Sequence, residues 1–167
     1  PPLKARGGDG YGGCFPDTVL GVIDGCGDLL VDDDGSFLGD GLASGLFGVE
    51  LNKSGVVEWS VSGFDDFDFD GQSDDFGGPH GQLGLWEGFV DFLDGNGDYI
   101  TTEFFGFEEF FFGDEVFTGS IGAPTDAVTY DIYLDNTVGG DCACGDVDFQ
   151  FVTGLIPGGE YEIRVTD

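Results

Sequence analysis

Apolar and polar residues alternate along several stretches of this chain with the two-residue period of a half-buried strand. Val57, Trp59 and Val61 alternate with Glu58, Ser60 and Ser62, and Val128, Tyr130, Ile132 and Leu134 with Thr129, Asp131, Tyr133 and Asp135. Near the end, Tyr161, Ile163 and Val165 alternate with Glu160, Glu162, Arg164 and Thr166, and Val147, Phe149 and Phe151 add a fourth segment. Turn signals such as Asn96-Gly97 and Pro157-Gly158-Gly159 separate these runs. No segment sustains a 3.6-residue period between helix caps. The pattern predicts an all-β chain, an antiparallel β-sandwich of jelly-roll-like form. An N-terminal arm over 1–16 precedes a sandwich over 17–167, divisible into related units at 17–80 and 81–167.

That division rests on an internal repeat. Val22-Ile23-Asp24-Gly25-Cys26-Gly27-Asp28-Leu29-Leu30 matches Phe92-Leu93-Asp94-Gly95-Asn96-Gly97-Asp98-Tyr99-Ile100 at a spacing of 70, and Val57–Val61 matches Val128–Ile132 at 71. A D-G-x-G-D run between apolar pairs predicts a hairpin tip, with Gly supplying a positive φ. The run Phe104-Phe105-Gly106-Phe107-Glu108-Glu109-Phe110-Phe111-Phe112 is expected to be a core strand buried on both faces, with a bulge at Gly106. The competing reading is an aromatic patch packed against another subunit.

Charge changes the picture most. The 167 residues hold 34 Asp and Glu against four Lys and Arg, a net charge of −30. At most four carboxylates can find a basic partner, and the rest must be solvated, screened or bound to cations. The 40% hydrophobic content and 18 Phe supply a real core, so the charge does not imply disorder. The acidity excludes nucleic acid and anionic lipid as partners, and no apolar run approaches the ~20 residues that span a bilayer. The chain opens at Pro1-Pro2 without a signal sequence; if it is secreted, this is the processed form or a fragment.

Many of the acids cluster in Gly turns, where oxygen-rich loops that hold Ca²⁺ would offset the repulsion. The densest cluster runs from Asp65 to Asp75. Asp66, Asp68 and Asp70 with Gly71 reproduce D-x-D-x-D-G, whose alternate residues aim carboxylates at one ion. Position twelve is Gly77 rather than the bidentate Glu of an EF-hand, so Asp74 or Asp75 is expected to close a loop between strands. Asp94, Asn96 and Asp98 form a second candidate, one residue short of an EF-hand. Asp32, Asp33, Asp34 and Asp40 around Gly35 form a third, and Asp146 with Asp148 a fourth.

Catalytic signals are weak. The single histidine, His80, lies in a Gly-Pro loop with no nucleophile pattern beside it, and reads as a surface residue. No G-x-S-x-G, P-loop or H-E-x-x-H occurs. The chain is therefore read as no enzyme. Four cysteines, Cys14, Cys26, Cys142 and Cys144, fit disulfides in an oxidising compartment, tying the first pair to the second in an open order. A Cys₄ zinc site is the alternative, although no C-x₂-C occurs. Asn52-Lys53-Ser54 is a glycosylation sequon.

The stretch Asp17-Thr18-Val19-Leu20-Gly21-Val22-Ile23-Asp24-Gly25-Cys26-Gly27-Asp28-Leu29-Leu30-Val31-Asp32-Asp33-Asp34-Gly35 resembles secreted bacterial pre-peptidase C-terminal domains and the related β domains of exosortase-sorted proteins. Gly145–Phe151 resembles the strand that opens such domains, and Val152–Tyr161 the turn that follows it. The resemblance implies a jelly-roll-like sandwich, extracellular or cell-surface placement, and Ca²⁺ in the acidic loops at Asp32, Asp33, Asp34, Asp146 and Asp148. The order of its pieces is reversed, which fits circular permutation, two partial domains, or exchange of a terminal strand between copies. The leading expectation is a secreted structural subunit of a filament, sheath or surface layer, partnered by copies of itself. The alternative is a Ca²⁺-dependent adhesin that binds glycans through Trp59, Trp86 and Tyr99.

Overall fold

The chain is described by a computed structural model over residues 15–138. Eight strands run through it: β1 (Thr18–Ile23), β2 (Leu29–Asp32), β3 (Gly45–Glu50), β4 (Val56–Gly63), β5 (Gly84–Leu93), β6 (Tyr99–Phe110), β7 (Phe117–Gly122) and β8 (Thr129–Asp135). No helix occurs among the described residues. The strands form two antiparallel sheets, β2-β1-β4-β7 and β3-β8-β5-β6, packed as a β-sandwich. β5–β6, β4–β7 and β3–β8 are nested antiparallel pairs that alternate between the sheets, the winding of a jelly roll. The strand patterns over 145–151 and 160–166 lie outside the described residues, as does most of the arm over 1–16.

The internal repeat has a structural counterpart. Adding 70 or 71 to β1, β2 and β4 gives β5, β6 and β8, and the pairings follow: Ile23 faces Leu29 as Leu93 faces Tyr99, and Val22 faces Trp59 as Phe92 faces Tyr130. The third strand of each half crosses over. β3 joins β8 in the second sheet, and β7 joins β4 in the first. The two halves are therefore interlocked rather than side by side.

Both D-G-x-G-D tips close in the same way. The Asp24 amide donates to the Asp28 carbonyl at 2.9 Å, and Asp94 to Asp98 at 2.9 Å. Oδ1 of Asp24 accepts from the amides of Cys26 and Asp28 (2.8 and 2.9 Å), and Oδ1 of Asp94 from Asn96 and Asp98 (2.8 and 3.0 Å). Gly27 and Gly97 take φ of 89° and 82°, the left-handed region that a Cβ disfavours.

The interior is one cluster of mixed aliphatic and aromatic side chains. Leu20, Val22, Val57 and Val61 of the first sheet meet Val90, Phe92, Ile132 and Leu134 of the second. Trp59, Trp86, Phe105 and Phe117 form a ring cluster, with Trp59 and Phe105 centroids 4.8 Å apart and Trp86 and Phe117 5.6 Å apart. Glycines face the large rings and make room for them. A Cβ on Gly88 would stand 2.2 Å from the Phe105 ring, and one on Gly119 2.5 Å from Trp59.

The Phe-rich run departs from its expectation. β6 is an edge strand, paired only with β5, and a bulge at Phe105 turns one side chain inward. Phe105 and Phe110 pack inward, while Phe104 and Phe107 face outward and Phe111 and Phe112 lie beyond the strand, all four exposed. The run is thus split between core and surface, not buried on both faces.

Filling the space above Gly88 tests the ring cluster. Gly88→Ala is expected to lower stability by about 1–3 kcal/mol through overpacking. Phe105→Leu in the same chain should recover part of that loss, measured by urea unfolding followed through tryptophan fluorescence.

Candidate metal centre

β4 ends at Gly63, and the next twenty residues fold over the outer face of the first sheet before β5 begins. Val19 points outward from β1 yet is fully buried beneath this loop, and the Phe69 ring lies on Gly21, where an added Cβ would stand 2.5 Å from it. Asp65 and Phe69 hold positive φ of 70° and 60°. Such backbone is unfavourable for residues with a Cβ and persists only where surrounding bonds determine it.

Asp66 supplies many of those bonds. It is fully buried, and Oδ2 accepts from the Ser62 hydroxyl and from the Gly71 amide at 2.9 Å, while Oδ1 accepts from the Asp70 amide at 3.0 Å. Asp74 Oδ2 accepts from the Phe67 amide at 3.0 Å, and Asp65 Oδ2 from the Ser73 hydroxyl and the Asp75 amide. The loop is thus wound around carboxylates, each satisfied by backbone N–H groups.

This winding brings one carboxylate oxygen each of Asp66, Asp68 and Asp70 within 4.8 Å of one another. Asp66 lies at the base, and Asp68 and Asp70 are exposed above it. Partial desolvation and then the charges of Asp70, Asp74 and Asp66 push the Asp68 carboxyl above the usual range. Crowded anions of this kind favour either a proton or a cation between them. The donors are hard carboxylate oxygens, and Asp74, expected to close the loop, lies outside this cluster of three, with its Oδ2 accepting from the Phe67 amide.

The other sequence candidates behave differently. Among the described residues, no other group of three or more His, Cys, Asp or Glu gathers its ligand atoms this closely. Asp32 Oδ2 is spent on the Gly35 and Gly45 amides (2.6 and 2.9 Å), and Asp40 Oδ1 on the Leu42 amide and the Asn136 side chain. Burial first, and then Asp33, Asp32 and Asp40, hold Asp34 above its usual value. Asp94 is depressed by its bonds from Asp98 and Asn96, the signature of a turn fastener. Asp146 and Asp148 lie outside the described residues. Cys26 is exposed at its turn tip, while Cys14, Cys142 and Cys144 lie outside the described residues.

Three residues correct the sequence reading. His80 is buried, not a surface residue: Nδ1 accepts from the Gln82 amide at 3.1 Å, so Nε2 carries the proton and donates to the Glu115 carbonyl at 3.1 Å. Trp86 is fully buried and Trp59 packs against the core, so of the proposed glycan contacts Tyr99 alone is exposed. Alternation already grouped Trp59 with Val57 and Val61, and the close approach of Trp59 to Gly119 and of Trp86 to Gly106 seats both rings in the interior.

Glu115 was not singled out in the sequence. Its carboxylate accepts from the amides of Phe111, Phe112, Gly113 and Asp114 and closes the β6–β7 connection. Desolvation opposes these bonds, yet they win and hold the group below its ordinary value. The Phe-Phe-Gly-Asp turn before Glu115 carried no separate signal of this role.

No family model, curated protein or solved structure matches the chain.

Two outcomes follow from these bonds. Asp66→Ala should destabilise the protein even without metal, by about 1–3 kcal/mol, because it strands buried donors. Burial lowers the His80 pKa, the backbone bond to Glu115 and nearby charges opposing it in part. A lowered folded pKa leaves stability intact above the unfolded value of 6.5 and removes it as pH falls below. Chemical denaturation between pH 7.5 and about 5 should therefore show a loss that a His80→Gln variant lacks.

Proposed function

We propose that this protein is a non-enzymatic, Ca²⁺-stabilised structural module of an extracellular assembly, built from copies of itself. The observation that carries the reading is the Asp66, Asp68 and Asp70 cluster, seated on a buried carboxylate in a chain of net charge −30. A cation there would neutralise the most crowded anions and lock the loop that covers the first sheet.

The edge of the second sheet supports self-assembly. β6 offers twelve residues with one side unpaired, a template for strand addition. Its exposed Glu103, Glu108 and Glu109 would repel a second such edge unless cations screened them. Ca²⁺ would then act at two levels, fixing the loop and permitting edge contact. The non-enzymatic reading is supported by His80, whose two ring nitrogens are committed to the backbone. The resemblance to secreted β domains supports the extracellular placement; no helix among the described residues is long and apolar enough to cross a membrane.

Thermal unfolding with Ca²⁺ and with EDTA tests the site. Ca²⁺ at a hundredfold excess over Kd should stabilise by about 2.7 kcal/mol. An Asp68→Asn, Asp70→Asn double variant should lose that shift while keeping its metal-free stability. Raised Asp68 implies that acidification displaces the ion at higher pH than an isolated carboxylate would. Negative-stain imaging in millimolar Ca²⁺ should show assemblies that shorten or vanish in EDTA; monodisperse particles in both would sink the assembly reading.

A further inference from the structure

The outer faces of the two sheets are related by the internal repeat but use their polar groups differently. At the positions equivalent to Gly21 and Ser62 of the first sheet, the second carries Asp91 and Tyr133. Tyr133 stands in a row of rings with Phe89, Phe37 and Phe47, and its hydroxyl and that of Thr102 both donate to Asp91. On the first sheet the covering loop reaches Gly21, where Phe69 sits. Beside it an open groove of about 430 Å³ crosses all four strands. That volume falls within the ~300–1,000 Å³ of small-molecule clefts.

Strand register orders the groove. Leu29 faces Ile23 across β2 and β1, while Glu58 faces Ser120 and Ser60 faces Thr118 across β4 and β7. Val22 pairs with Trp59, which sets Ile23 beside Glu58 one step on. One row therefore runs Leu29, Ile23, Glu58, Ser120, apolar at one end and polar at the other. The Glu58 carboxylate and the hydroxyls of Ser60, Thr118 and Ser120 have no partner among the described residues. The Asp28 carboxylate, equally unpartnered, directly precedes half-exposed Leu29 at the hairpin tip. An apolar stretch is thus bounded by a carboxylate at each end. Leu29 and Glu58 lie two strand spacings apart, about 10 Å.

Charge selects the occupant. Lys53 is the only Lys or Arg among the described residues of a chain of net charge −30, so anions and a second copy are both repelled. A bare metal ion would leave Ile23 and Leu29 unused, and a neutral sugar would leave both carboxylates uncompensated. We propose that the groove binds a short linear polyamine. One ammonium donates to Glu58 and the hydroxyls around it, the methylenes lie on Ile23 and Leu29, and a second ammonium reaches Asp28. A single lysine side chain carries one charge and satisfies only one end. This assignment does not depend on Ca²⁺ binding or on assembly.

Titration of the ¹⁵N-labelled full chain with spermidine, at a physiological ionic strength of about 0.15 M, tests it by two-dimensional NMR. Saturable shifts are expected at the amides of Ile23, Glu58, Ser60, Thr118 and Ser120. Glu58→Gln should weaken binding about tenfold or more, the loss of one charge-assisted hydrogen-bonding partner. Thr118→Phe fills the groove at an exposed position without altering any charge, and should abolish the shifts at unchanged thermal unfolding. Shifts that spread over the Asp-Gly turns without saturating would overturn the proposal, as would an equal groove response to Mg²⁺. A response to maltotriose but not spermidine would assign a glycan instead and overturn it. Butylamine binding as tightly as spermidine would reduce the site to a single ammonium and also count against it.

Discussion

The exchange of third strands between the halves is the constraint on which the rest of the structure depends. Because β3 pairs with β8 and β7 with β4, neither half can complete a sheet from its own residues. Each sheet needs three strands from one half and one from the other, so the core between them forms only when both are in place. Such non-local pairing raises the chain-entropy cost of folding and concentrates it in one cooperative step. The aromatic cluster of Trp59, Trp86, Phe105 and Phe117 sits where the halves meet, and its burial opposes that cost.

Acidity and foldability are reconciled by the work the carboxylates do locally. Asp24, Asp32, Asp65, Asp66, Asp94 and Glu115 each accept backbone N–H bonds that turns leave without partners. Asp favours such roles because its short side chain reaches amides two to four residues ahead. The negative charge is therefore partly a by-product of building tight Gly turns. Around Asp68, desolvation and then the charges of Asp70, Asp74 and Asp66 raise the carboxyl. What sets this cluster apart from the turn fasteners is geometry, three carboxylate oxygens within 4.8 Å of one another. Asp94 and Asp68 illustrate the two outcomes, one carboxyl lowered by donated hydrogen bonds and the other raised by desolvation and neighbouring anions.

Much of this was legible in the sequence because it is governed by short-range periodicity. Alternation over Val57–Val61 and Val128–Asp135 identified β4 and β8, and the two D-G-x-G-D runs identified the hairpins. The D-x-D-x-D-G spacing identified the three carboxylates that the fold brings together. The crossing of β3 and β7 was not legible, since strand pairing at long range leaves no local period. The Phe-rich run was misread for a related reason. A bulge at Phe105 shifts the alternation by one residue, and only the partner strand, through Gly88, fixes where that shift falls. His80 was misread because a Gly-Pro context signals a loop but does not signal what the loop folds onto.

The two halves share strands, turns and register but not their outer faces, and this asymmetry is where function can reside. At equivalent positions one half has Gly21 and Ser62 and the other Asp91 and Tyr133. Gly21 exists to let Phe69 approach the sheet, and Ser62 to hold Asp66 at the base of the carboxylate cluster. Asp91 instead accepts from Thr102 and Tyr133 and keeps that tyrosine upright among the rings, with burial and then the Asp91 charge pushing its hydroxyl up to about 12. A protein built from two similar units thus presents one face organised around a polar loop and one around aromatic rings. The inward positions are held in common by mutual packing, since a change on one sheet is felt at once on the other. The outward positions carry no such mutual constraint. Divergence is physically least costly there, and the carboxylate cluster and the ring row both lie on outward faces.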